Sequence, residues 1–307
     1  MENYFLGTPT VDSVKEVAYV STFPPKKCGI ATFTSDLVNS ISLLKNLKAQ
    51  KIISIEDGRL LKPSDESSGY KIGRDSIEDY VLMADFINHS PINVVNIQHE
   101  FGIFGGESGE YICAFLDRLK RPVATTLHTV LPNFENKTKE VFNRVVDRST
   151  NLIVLNETTR ELVKQYGVPS KKVKVIPHGC PDLPMVSSEK VKPVLGLKNR
   201  VVLSTFGLLS KGKGIEYVIQ ALPDIIKKES RVIYNIIGVT HPQVKRAEGE
   251  NYRNTLLKMA KTLGVSNNVK FLNRFLSKPE LYNYLQATDV YITPYPSPNQ
   301  VSSGTLS

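Results

Sequence analysis

A chain of 307 residues is too long for a typical single core and predicts two domains, and 41% hydrophobic with 22% charged residues and no low-complexity tract excludes a disordered or fibrous protein. Its 39 basic against 30 acidic side chains give a net charge of +9, compatible with an anionic substrate, a nucleic acid or an acidic membrane surface. Cys28, Cys113 and Cys180 lie far apart and outside any Cys-x-x-Cys pattern, which argues against a disulfide framework or a cysteine zinc site.

The N-terminus, Met1-Glu2-Asn3-Tyr4, lacks the charged flank and apolar stretch of a secretory signal. No apolar run approaches the ~18–20 residues that span a bilayer. The expectation is a cytoplasmic protein.

In chain order, strands are predicted at 17–22, 51–55, 93–98, 122–128, 151–155 and 173–177, then at 200–206, 231–238, 268–272 and 289–293. Helix-period stripes lie between them: Val141, Phe142, Val145 and Val146 form one, and Ile215, Val218, Ile219, Leu222, Ile225 and Ile226 a cleaner one. Ser277 and Glu280 form a capping box that opens another helix. Repeated strand–helix alternation predicts an α/β protein with two doubly wound, Rossmann-like parallel sheets, helices on both faces. The first domain is read as 1–185 and the second as 196–307, joined by a linker at 182–199, where "DLPMVSSEKVKPVLGLKN" interrupts the alternation. The second domain has fewer predicted strands, and the sequence stops at Gly304-Thr305-Leu306-Ser307 as a further turn begins, so it is expected to be incomplete.

Ligands of doubly wound folds bind beyond the carboxyl ends of the strands, and four such turns stand out. In "STFPPKKCGIATFTSDLV", small residues around Gly29 and Ile30 bring backbone N–H groups onto a helix start; a tight turn needing glycine is the plainer alternative. The G-x-G-x-x-G spacing is missing, which disfavours a nicotinamide cofactor. "NIQHEFGIFGGESGEYI" sets His99 and Glu100 before a glycine-rich loop, where they suit sugar hydroxyls or proton transfer, although a lone histidine in such a turn is more often structural. "TLHTVLPNF" brings His128 and Thr129 to the same edge from the next strand, which strengthens His128. In "FGLLSKGKGIEYVIQAL", Lys213 precedes an amphipathic helix, so its charge and the unpaired helix N–H groups converge; the spacing is not that of a Walker loop, and Lys211 reads as a solvated lysine.

Together with "YGVPSKKVKVIPHGCPD" and "DVYITPY", these turns resemble, in order and over nearly the whole chain, family 4 of the retaining, nucleotide-sugar-dependent glycosyltransferases. The resemblance implies the GT-B fold, two Rossmann-like domains facing across a cleft. It implies a hexose carried from a nucleoside-diphosphate sugar to a carbohydrate or glycoconjugate acceptor, with no metal and no further cofactor. It gives His128 and Lys213 catalytic roles, His128 beside the transferred sugar and Lys213 on the donor phosphates. Gly29, Ile30, Thr129 and Gly207 join Lys213 in donor binding, with Ser303, Gly304 and Thr305 at a further helix start, and His99 and Glu100 fall on the acceptor side.

Departures accompany the likeness. Leu208 stands where family members commonly place a second phosphate-binding arginine, and aligning "PNQVSSGTLS" puts Asn299 and Ser307 where they carry a pair of glutamates. A non-catalytic relative that binds a nucleotide or a partner is the alternative reading, and a nucleotide-sugar epimerase a second. Nucleic acid is not an expected partner, since no compact segment interleaves basic with aromatic residues; peripheral association with a membrane surface is compatible with the charge.

Overall fold

The computed structural model describes residues 16–45, 47–58 and 69–296. The chain divides into two compact units, Met1–His178 and Gly179–Ser307.

The first unit is built on a parallel sheet of seven strands: β1 (Glu16–Ser21), β2 (Ala49–Glu56), β3 (Tyr70–Gly73), β4 (Val94–His99), β5 (Val123–Leu127), β6 (Asn151–Val154) and β7 (Val173–Val175). Their order is β3-β2-β1-β4-β5-β6-β7, so the winding reverses between β1 and β4, with Val17 beside Val94 and Val20 beside Ile97. Helices α1 (Gly29–Ile41), α2 (Ile77–Asn88), α3 (Tyr111–Arg118), α4 (Asn136–Arg148) and α5 (Glu157–Gln165) connect the strands. The predicted stripe of α4 is buried in full, Val141, Phe142, Val145 and Val146 all joining the core. Six of the seven strands follow the predicted runs; β3 does not, because Tyr70-Lys71-Ile72-Gly73 holds a single β-branched residue beside a lysine and a glycine.

Side chains alternate across each strand. Val95 and Ile97 of β4, with Val123 and Leu127 of β5, enter the apolar core. Asn96, Gln98 and Thr126 take the opposite face and are also buried. The first sheet therefore has one apolar and one polar face at β4–β5.

The second unit holds a four-stranded parallel sheet of β8 (Val201–Phe206), β9 (Val232–Ile237), β10 (Val269–Leu272) and β11 (Val290–Tyr291) in the order β10-β9-β8-β11, with its reversal between β8 and β11. Part of the segment read as a linker is folded onto this unit: Val191 of the short helix α6 (Ser188–Val191) and Leu197 beyond it pack with Val202 and Ala287, and Lys192 Nζ reaches Asp289 at 2.6 Å. Helix α7 (Ile215–Lys228) buries Ile215, Val218, Ile219 and Leu222, while Ile225 and Ile226 pack at the margin of the same core. α8 (Pro242–Glu248) and α9 (Asn251–Thr262) follow β9, and α10 (Lys278–Gln286) opens with the Ser277–Glu280 capping box. Among the described residues no helix is long and apolar enough to cross a membrane.

Candidate active site

The reversal point of each sheet gathers most of the candidate residues. In the first unit, β1 runs into the turn that precedes α1. Cys28 caps that helix, its Sγ accepting from the Ala31 N–H at 3.3 Å, so Gly29 and Ile30 occupy the first turn. A Cβ built on Gly29 meets nothing within 4 Å, and its φ lies outside the left-handed range. Glycine is thus required there neither by packing nor by backbone angle; what it does is keep the helix start open to an approaching group.

His99 ends β4, and its side chain shares the face of Val95 and Ile97, not the polar face. The ring is wholly buried, stacked on Phe104 with centroids 5.7 Å apart and edge-on to Phe101, and among the described residues neither nitrogen has a hydrogen-bond partner. Burial alone pushes its pKa down to about 4. The acceptor-side role expected of His99 has no support in this placement: the residue is a core histidine, set there by strand parity. Glu100, one position on, is half-buried; Thr129 Oγ1 donates to its Oε2 at 2.5 Å. Burial raises the Glu100 carboxyl, and the Thr129 hydroxyl and the N–H groups of Phe101 and Gly102 oppose that rise. Glu100 therefore ties the loop after β4 to the end of β5.

His128 follows β5, and its N–H donates to the His99 carbonyl at 3.0 Å. Its Nε2 lies 2.8 Å from Gln98 Oε1, and the ring meets Phe33 of α1 edge-on at 4.8 Å. His178 packs on the same phenyl ring at 5.0 Å. Burial, then His178 and His99 in turn, hold the His128 pKa down to about 3, so the imidazole is neutral at physiological pH. The structure brings Glu100, His128 and Thr129 to one edge of the first sheet. Gln98, Phe33 and His178 complete the group, and sequence reading did not single them out; the available signal for Gln98 is a polar residue after Ile97 near the end of an apolar strand.

In the second unit the winding reverses beside Gly207. Gly207 N–H donates to Ile237 O at 2.9 Å, and the exits of β8 and β9 run so close that a Cβ on Gly238 would lie 2.0 Å from the Gly207 carbonyl. A tight turn, Lys211–Lys213, then leads through Gly214 into α7. Gly214 adopts φ +63 and packs on the chain after β11, where a Cβ would stand 1.9 Å from Pro294 O. That contact seats the turn, and Lys213 Nζ lies 4.6 Å above the Tyr295 ring and 3.3 Å from its hydroxyl. Among the described residues no side chain caps α7, whose first residue, Ile215, follows Lys213 by two positions. His241 is pushed down by burial and then by the Lys213 charge. Tyr295 and His241 are further members that sequence reading did not assign; His241 follows β9 and was accessible to the same rule. Leu208, half-buried beside Gly207, supplies no second cation. Ser303, Gly304, Thr305, Asn299 and Ser307 lie outside the described residues. Among the described residues no group of three or more His, Cys, Asp or Glu is placed to hold a metal ion.

Two known families match the chain. The family described as Glycosyltransferase Family 4 matches residues 67–182, and that described as Glycosyl transferases group 1 matches residues 187–297. The chain is a family 4-like glycosyltransferase. Among solved structures, this glycosyltransferase is similar to Anabaena HepE in complex with UDP and glucose, with TM-score 0.68 and 16% identity over 93% of this chain and 75% of that one. A glycosyltransferase from Rickettsia africae gives TM-score 0.65 and 17% identity over 93% and 74%. WaaG, a glycosyltransferase involved in lipopolysaccharide biosynthesis, gives TM-score 0.60 and 14% identity over 92% and 75%. At these identities the likeness establishes the fold, the GT-B pair of parallel-sheet units. No curated protein sequence matches this glycosyltransferase.

Proposed function

We propose that this glycosyltransferase moves a hexose from a nucleoside-diphosphate sugar to a carbohydrate or glycoconjugate acceptor with retention of anomeric configuration. The observation that carries the reading is Lys213, held over Tyr295 in the turn that leads into α7 at the reversal point of the second sheet. Solved forms of HepE hold UDP and UDP-glucose, which supports a sugar nucleotide as donor.

Breaking the C1–O bond loads negative charge onto the leaving diphosphate while the sugar gains oxocarbenium character. Preorganised positive charge and N–H dipoles are the strongest means of lowering such a barrier, and Lys213 with the helix start at Ile215 supplies them without a metal or separate cofactor. The acceptor hydroxyl attacks from the face the diphosphate leaves, and its proton passes to the departing phosphate oxygen, so configuration is kept and no strong protein base is called for. His128, neutral at pH 7, orients the transferred sugar by hydrogen bonding. The reading takes the protein to be cytoplasmic, and the net charge of +9 supports peripheral contact with an acidic membrane surface.

The test follows the full chain and UDP-glucose by proton NMR, with water or an added sugar as acceptor. The expected first-formed product is the α-anomer, and His128→Ala slows its release roughly a hundredfold. A β-anomer formed first overturns retention. UDP-glucose that binds and stays intact points to the non-catalytic relative.

A further inference from the structure

The polar face of the first sheet carries a line of hydrogen bonds that ends on His128. It begins at the backbone carbonyl of Ala124, which accepts from Asn96 Nδ2 at 3.3 Å. A carbonyl oxygen has no proton to give, so the Asn96 amide must turn its NH2 that way and leave Oδ1 toward Gln98. Gln98 Nε2 donates to that oxygen at 2.5 Å. Gln98 is then left with Oε1 toward His128, 2.8 Å from Nε2, and the proton of this last bond belongs to the imidazole.

Both amides are buried, Gln98 fully and Asn96 to 8% exposure. Turning either one over would set two NH2 groups or two oxygens face to face away from water, the costly case of an unsatisfied buried polar group. One backbone oxygen therefore fixes the direction of the whole series. Phe33, edge-on to the imidazole at 4.8 Å, holds the ring plane in place.

We propose that Gln98, directed by Asn96 and the Ala124 carbonyl, is a positioning residue that locks His128 in its Nε2–H tautomer and so makes Nδ1 the acceptor nitrogen of the ring. The functional consequence rests on the reading of His128 as the residue beside the transferred sugar. There a ring held in one tautomer meets the sugar with a fixed order of donor and acceptor, and turnover depends on Gln98 keeping that order.

The experiment is a long-range proton–nitrogen NMR spectrum of the full chain labelled with ¹⁵N-histidine, with His128→Gln identifying the His128 signals among the five histidines. At neutral pH the wild type is expected to show a single Nε2–H tautomer whose proton is protected from water exchange. Gln98→Met removes the acceptor, and the protected signal should vanish while the Nδ1–H form grows in. Asn96→Asp presents an oxygen that can only accept, so Gln98 keeps its direction and the wild-type pattern should persist. Thermal melts check that each variant is folded; if Gln98→Met is not, Asn96→Leu tests the same direction-setting step and should release the tautomer. For sugar transfer, Gln98→Met should lower kcat roughly tenfold and leave KM for the donor within about twofold. A wild-type Nδ1–H tautomer, or a His128 pattern unchanged in folded Gln98→Met, overturns the proposal. A locked tautomer in a chain that transfers no sugar would instead overturn the reading of His128 on which the consequence rests.

Discussion

Burial holds the His99 ring at a pKa of about 4 against an ordinary value of 6.5, and among the described residues neither ring nitrogen has a partner. The unfolded chain takes up a proton at this residue near pH 6.5, while the folded chain refuses it until about pH 4. Stability associated with the neutral ring is thus fully present above pH 6.5 and is lost as pH falls toward 4. His99→Phe keeps a ring of similar shape among Phe101 and Phe104 and removes the titration. Chemical unfolding of the variant at pH 7 should show equal or greater stability. By pH 4 the gain over wild type should reach up to about 3 kcal/mol. A wild-type acid slope in the variant would show that the ring is protonated in the fold.

At the scale of elements, the turn before α7 depends on Gly214. Its left-handed φ of +63 and the proximity of Pro294 O leave no room for a side chain. Gly214→Ala should cost more than about 1 kcal/mol in stability and weaken nucleotide binding although Lys213 is untouched, readable as a smaller thermal shift with UDP. An unchanged shift would mean that the turn is free to place Lys213 in another way. The same turn shows how far sequence pattern reaches. Gly207, Lys213 and the α7 stripe were legible because a strand end, a glycine turn and a helix period are all local signals. That Lys213 lies over Tyr295 was not, because the contact is made across 82 positions by a parallel pairing, β8 with β11, that no local pattern specifies. The linker was legible as an interruption, but Val191, Leu197 and Lys192 fold it onto the second sheet through long-range contacts. His99 was placed among the acceptor-side residues for a related reason: proximity to a loop is readable in sequence, whereas the sheet face a strand-end residue takes depends on register.

Across both units, ten of the eleven strands among the described residues and the two-sheet α/β class were readable from alternation alone, since these strands are short apolar runs between helix-period segments. Each unit has its own apolar core, and the candidate groups gather where its sheet reverses, as expected for doubly wound folds. We propose that Lys213 and its turn hold the diphosphate of an activated sugar. Calorimetric titration of UDP into the full chain and into Lys213→Ala tests it most directly. Loss of a charge-assisted contact to phosphate should weaken binding by roughly tenfold or more, with the variant still folded by its melting profile. Equal affinity in the two proteins, or no binding of any nucleoside diphosphate to the wild type, would contradict it.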